Sequence, residues 1–147
     1  MPAKNLNILL ADDDVDDCHF FKEALGFLPQ TTALTTVHDG DELMLYLTEN
    51  TEQLPHVLFL DINMPRKNGF ECLSEIKQTS KLKDLPVVMF STSKAPDEIN
   101  ILFKTGADVY IRKPGNFAQL VQVINHALPI AVENIFSNGK QKYILNA

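Results

Sequence analysis

The sequence predicts an α/β domain built on a parallel β-sheet with helices on both faces, and three features predict it. Short unbroken apolar runs recur along the chain, each run is followed by apolar residues at helical spacing, and acidic or small polar residues stand at the carboxyl ends of the runs. The clearest run is Val57-Leu58-Phe59-Leu60, which lacks the alternation of a half-exposed strand and suits one covered on both faces. Asp61 ends it, where open α/β sheets bind their ligands. Asn63, Pro65, Asn68 and Gly69 then supply loop chemistry, and Phe70, Leu73 and Ile76 form a helical stripe.

The other elements follow in chain order. Asn7 to Ala11 is a buried-strand candidate ending in Asp12-Asp13-Asp14. Val15, Cys18, Phe21, Leu25 and Leu28 recur at helical spacing, with Asp14 as the cap and Pro29 as the stop. Thr31 to Val37, rich in Thr and apolar residues, reads as a strand, and Asp41 to Leu47 as a short helix. Pro86 to Ser91 is a further apolar run. Pro96 and Asp97 open a helix through Ile99, Leu102 and Phe103 that Gly106 terminates. Val109 to Arg112 is the last strand before Lys113-Pro114, and Phe117, Leu120, Val121, Ile124 and Leu128 mark a final helix that Pro129 is expected to stop.

Composition sets the bounds. A chain of 147 residues with 45% hydrophobic content suffices for one core and is short for two. A net charge of −6 with scattered basic residues argues against direct nucleic-acid contact. Apolar runs stop after four or five residues, so neither a signal peptide nor a membrane span is expected, and the expected location is cytoplasmic. Cys18 and Cys72 lack metal-ligand spacing and read as partly buried free thiols.

Parallel strands put all their carboxyl ends on one rim. Asp12, Asp13, Asp61, Ser91 and Lys113 should therefore converge although they span about a hundred positions. Taken together, the acidic pair after the first strand, Asp61-x-x-Met64-Pro65-x-x-x-Gly69 after the third, Ser91 after the fourth and Lys113-Pro114 after the fifth resemble the receiver domain of two-component response regulators, the CheY-like group. DINMPRKNG, the long loop before the third strand and the KPGNF stretch also resemble the single-domain, phytochrome-associated type. The resemblance covers about residues 6–128. It implies a flavodoxin-like (βα)5 sandwich with strand order 2-1-3-4-5, leaving 129–147 as a C-terminal extension.

It further implies that Asp61 accepts a phosphoryl group from a sensor histidine kinase, a phosphotransfer protein or a small phosphodonor. Charge then builds beside acids that repel it; two unit charges about 4 Å apart at an effective dielectric near 20 cost about 4 kcal/mol. The implied remedy is Mg2+ held by Asp12, Asp13, Asp61 and the backbone carbonyl of Asn63, with Lys113 and the Ser91 hydroxyl binding the phosphoryl group. Ser91 and Tyr110 match the family's switch pair, and a cis Lys113-Pro114 bond would aim the lysine. Asn63 and Ser93 match positions that tune water access. With no second domain expected after the last helix, the signal should leave through an unidentified downstream protein.

Several of these residues also carry plainer readings. Asp14 reads as a cap and Asp16 and Asp17 as first-turn acids favoured by the helix dipole. Asp12 to Glu23 mimics a calcium loop, but Asp17 stands where the sharp turn needs Gly. His19, His38, His56 and His126 have no metal-site spacing. A haloacid-dehalogenase-type phosphatase would also use Asp61 as nucleophile, yet it needs an acid two residues on, where Asn63 stands. A degenerate receiver that only binds partners is a further alternative. The tail offers Asn138-Gly139 as a hairpin turn between Ile135-Phe136 and Tyr143-Ile144-Leu145, a disordered end, or an apolar surface for a homodimer.

Overall fold

The computed structural model describes residues 5–92, 95–134 and 143–145. Its elements are β1 (Leu6–Ala11), α1 (Val15–Leu25), β2 (Thr32–Val37), α2 (Gly40–Glu49), β3 (Val57–Leu60), α3 (Gly69–Gln78), β4 (Val87–Ser91), α4 (Pro96–Thr105), β5 (Val109–Arg112), α5 (Phe117–Asn134) and β6 (Tyr143–Leu145). The sheet runs β2-β1-β3-β4-β5-β6 with every neighbouring pair parallel. The expected order 2-1-3-4-5 is present, and the extension adds a sixth strand.

Successive strand residues face opposite sides of a sheet, so a strand covered on both sides must be apolar at every position. β3 shows this directly. Leu58 and Leu60 join Leu9, Met89 and Tyr110 under α2, α3 and α4, where Leu43, Leu47, Leu73, Ile76 and Leu102 complete one buried layer. Val57 and Phe59 face the other way with Ile8, Leu10, Phe90 and Ile111, meeting Phe21 and Leu25 of α1 and Ile124 and Ala127 of α5. Phe21 packs edge-on against Phe59, with ring centroids 4.9 Å apart.

The helices start where their caps are. Asp14 accepts from the Asp17 N–H at 3.1 Å, Asp39 from Glu42 at 2.8 Å, and Asn68 forms a reciprocal capping box with Glu71. Among the described residues no helix is long and apolar enough to cross a membrane.

One expectation about the C-terminal end is corrected. α5 does not stop at Pro129 but continues to Asn134. Proline inside a helix costs about 3 kcal/mol through its lost N–H and its clash with the carbonyl four residues back; burial of Leu128 and Ala131 against the sheet opposes that cost. The expected hairpin with Ile135-Phe136 falls outside the described residues, but the place of Tyr143 to Leu145 is described. This segment pairs in parallel with β5, Val109 opposite Tyr143 and Ile111 opposite Leu145, while Asn138-Gly139 and Ser93 lie outside the described residues.

Pro129→Ala restores a backbone donor and removes the ring clash, against a smaller loss from a freer unfolded chain. It should stabilise the fold by about 1–2 kcal/mol in urea unfolding; an unchanged or lowered midpoint would mean that α5 has already adapted to the ring.

Candidate functional site

Register brings the expected residues together. Ala11 pairs with Leu60, Leu60 with Met89, and Ser91 with Arg112, so the strands end at neighbouring levels. The first residue past each strand is still held by its neighbour: the Asp12 N–H donates to the Val37 carbonyl (3.0 Å), Asp61 to Ala11 (3.0 Å) and Lys113 to Ser91 (2.9 Å). Side chains at these positions therefore depart from fixed backbone. Asp12 and Asp61 are 0% and 6% exposed, whereas Asp13 is open to solvent.

The loops on either side are shaped to the acids. One Asp12 oxygen accepts from the Asp14 N–H at 3.0 Å, turning the chain from β1 into α1. After β3, the Gly69 N–H returns to the Ile62 carbonyl at 2.8 Å. A Cβ on Gly69 would stand 2.3 Å from the Asp61 carbonyl oxygen, so only glycine lets α3 begin this close to the acid. Asn63 is exposed, and its backbone N–H donates to the Asp61 carboxylate.

Lys113 crosses the rim to join three acids. Its Nζ lies 2.8 Å from Asp12 Oδ2, 2.9 Å from Asp17 Oδ2 and 3.4 Å from Asp61 Oδ2, and 5.3 Å from the centre of the Phe90 ring. Burial works against its charge, but hydrogen bonds to Asp12 and Asp17 and the fields of Asp12 and Asp61 prevail, holding the ammonium above the usual lysine range. Asp17 is the member that sequence reasoning missed. Its place in the first turn was visible, but the cation facing it lies 96 residues away.

Ser91 and Tyr110 are both fully buried. Tyr110 lies in the layer beneath α4 with Ile99, Leu102 and Phe103, and strand alternation turns Ser91 to the same side as Met89. The expected cis bond at Pro114 is corrected: no peptide bond among the described residues is cis. The trans isomer is the lower one by about 0.5–1 kcal/mol, and Lys113 reaches the acids from it. Cys18 and Cys72 are buried and free, and burial pushes both thiols up to about 11, leaving them protonated at neutral pH.

Oxygens from Asp12, Asp13 and Asp61 lie within 4.8 Å of one another. All three are hard carboxylate donors, the kind that Mg2+, Ca2+ or Mn2+ takes, so the donor set fits a divalent cation. Beside Lys113 a cavity of about 310 Å3 opens between α1 and α5, lined by Phe20, Phe90, Phe117 and Leu120.

Desolvation raises the Asp61 carboxyl, Lys113 lowers it and Asp12 raises it again, leaving it at about 6. This is above the unfolded value of 3.8, so the folded chain binds the extra proton between those two values and loses stability as pH rises through them. Without divalent ions, Asp61→Asn should stabilise the fold at pH 7.5 by about 1–3 kcal/mol, with the gain gone near pH 4. Denaturant unfolding at the two pH values checks it; a gain independent of pH would assign the effect to something other than this charge.

The family model for the response regulator receiver domain matches residues 8–125. The response regulator Rcp1 of Synechocystis sp. is 31% identical over 121 residues, covering 80% of this chain and 82% of Rcp1. Among solved structures, the phosphorylated cyanobacterial phytochrome response regulator RcpA matches with a TM-score of 0.80 at 33% identity, over 88% of this chain and 95% of RcpA. The Mn2+-bound form of Rcp1 matches with a TM-score of 0.74 at 28% identity, over 92% of this chain and 96% of Rcp1.

Proposed function

The chain belongs to the response regulator receiver domain family, and from that membership we propose that Asp61 is its phosphoacceptor, receiving a phosphoryl group from a phosphohistidine on a sensor histidine kinase or phosphotransfer protein. One observation carries the assignment to Asp61. Of the two buried carboxylates that touch Lys113, Asp12 is taken up on one oxygen by the Asp14 N–H and on the other by Lys113 at 2.8 Å, whereas Asp61 meets Lys113 only at 3.4 Å and stands at the end of β3 beside the oxygens of Asp12 and Asp13.

The chemistry asks little of a base. With its carboxyl at about 6, Asp61 is mostly ionised at neutral pH and attacks phosphorus directly. The P–N bond of the phosphohistidine breaks, and its electron pair leaves with the imidazole. Asp12, Asp13, Asp61 and the Asn63 carbonyl are the residues that would hold Mg2+, which supplies positive charge to the transferred oxygens. Lys113, whose ammonium is 3.4 Å from Asp61, donates to the same group. The Ser91 hydroxyl is a second donor, and its movement together with Tyr110 is the means by which the α4 side senses the phosphoryl charge.

The protein so read is a phosphoacceptor that assists its own phosphotransfer and dephosphorylation, not a turnover enzyme. Residues 6–128 form the receiver and 129–147 an extension, with self-association of the extension as one use for it. The net charge of −6 with scattered basic residues supports output through a protein target without direct nucleic-acid contact, and signalling in the cytoplasm is part of the same proposal.

Intact mass after incubation with a small acyl phosphate tests the reading. One added phosphoryl group is expected with Mg2+, none without it, and none in Asp61→Ala. Steady phosphate release without a covalent adduct would support the phosphatase instead; neither adduct nor release, from this donor and from a histidine kinase, would leave a binding-only receiver.

A further inference from the structure

We propose that Asp17 is a positioning residue for Lys113, holding its ammonium on the α1 side of the rim and so keeping Asp61 accessible to a divalent cation. The inference rests on the reading of Asp12, Asp13 and Asp61 as the metal-holding set.

An ammonium has three N–H donors, enough to serve three carboxylates equally from a central position. Lys113 is not central. Its two short contacts go to Asp12 (2.8 Å) and Asp17 (2.9 Å), and its longest, 3.4 Å, to Asp61. Both ends of the Lys113–Asp17 link are anchored. The Asp17 backbone is fixed by the Asp14 cap, and α1 is seated on the sheet by Phe21 and Leu25. The Lys113 backbone is fixed by its bond to Ser91, leaving only the side-chain stem to move. The Asp17 side chain is 38% exposed and so less desolvated than that of the buried Asp61; Lys113, at 12%, is shielded enough for the pair to differ from an exposed surface bridge.

Removing the Asp17 charge leaves, among the described residues, Asp12 and Asp61 as the carboxylates in contact with Lys113. Their oxygens are those a cation needs, so the ammonium and the cation then compete. Asp17 also adds negative potential that attracts a cation whether or not Lys113 is present. Only the first effect runs through Lys113, and a bridge that merely pins α1 to β5 would produce neither.

Mg2+ binding to the full chain, measured by titration calorimetry at fixed ionic strength, separates these roles. Asp17→Asn should weaken Mg2+ binding about three- to tenfold and Asp17→Glu should restore most of it. In a Lys113→Ala background the same Asp17→Asn change should cost less than about twofold, because a coupled pair is not additive. Equal losses in both backgrounds, or no loss in the native one, would overturn the proposal. Thermal unfolding controls for folding, with Asp17→Ser as a second neutral variant. Native chain that binds no Mg2+ at all would instead reject the metal reading, and this inference with it.

Discussion

Two carboxylates buried side by side, Asp12 and Asp61, set the condition that the rest of the rim has to meet. Neither can be taken out of water unpaired without a cost of several kcal/mol. Asp12 meets the condition through the Asp14 N–H on one oxygen and Lys113 on the other; Asp61 does so through the Asn63 N–H and Lys113. The compensation for Asp61 is partial, which is why its carboxyl stays above the ordinary range. That residual cost is also what a divalent cation would relieve. A site made somewhat unstable for itself is thereby made receptive to positive charge.

Such a site needs a frame that does not yield. Parallel strands supply it, because each rim residue is hydrogen-bonded to the strand beside it and both sheet faces are covered by apolar layers. Gly69 shows how little slack remains, since one added carbon atom would collide with the Asp61 backbone. Stability comes from the layers, and the rim uses some of it.

Much of this was legible in the sequence because the determining signals are local. Unbroken apolar runs announce strands covered on both faces, and an acid, serine or lysine at the end of such a run reaches the rim whatever the intervening chain does. What was not legible depends on distant partners. Asp17 looks like any acid in a first helical turn until β5 places Lys113 opposite it. Pro129 carries a stop signal that the burial of Leu128 and Ala131 overrides. Tyr143 to Leu145 reads from sequence as a possible strand, but nothing local to it names β5 as its partner. The trans bond before Pro114 is a different case, since it is the peptide's own preference and the cis expectation came from the family resemblance alone.

β6 bears on how the rim can respond to a change of charge. β5 carries Tyr110 into the layer under α4 and leads into Lys113, which reaches α1. In a five-stranded sheet β5 would be an edge, free to shift its backbone on one side. Here β4 and β6 flank it, and the pairings Val109–Tyr143, Tyr110–Ile144 and Ile111–Leu145 hold its outer side. With both sides of β5 paired, a charge added at Asp61 would find side chains freer to move than the β5 backbone. In the proposed reading, Lys113 and Ser91 are the side chains that would meet it. Since the first contacts α1 and the second faces the α4 layer, one charge added at Asp61 would act on both sides of the sheet through two separate groups.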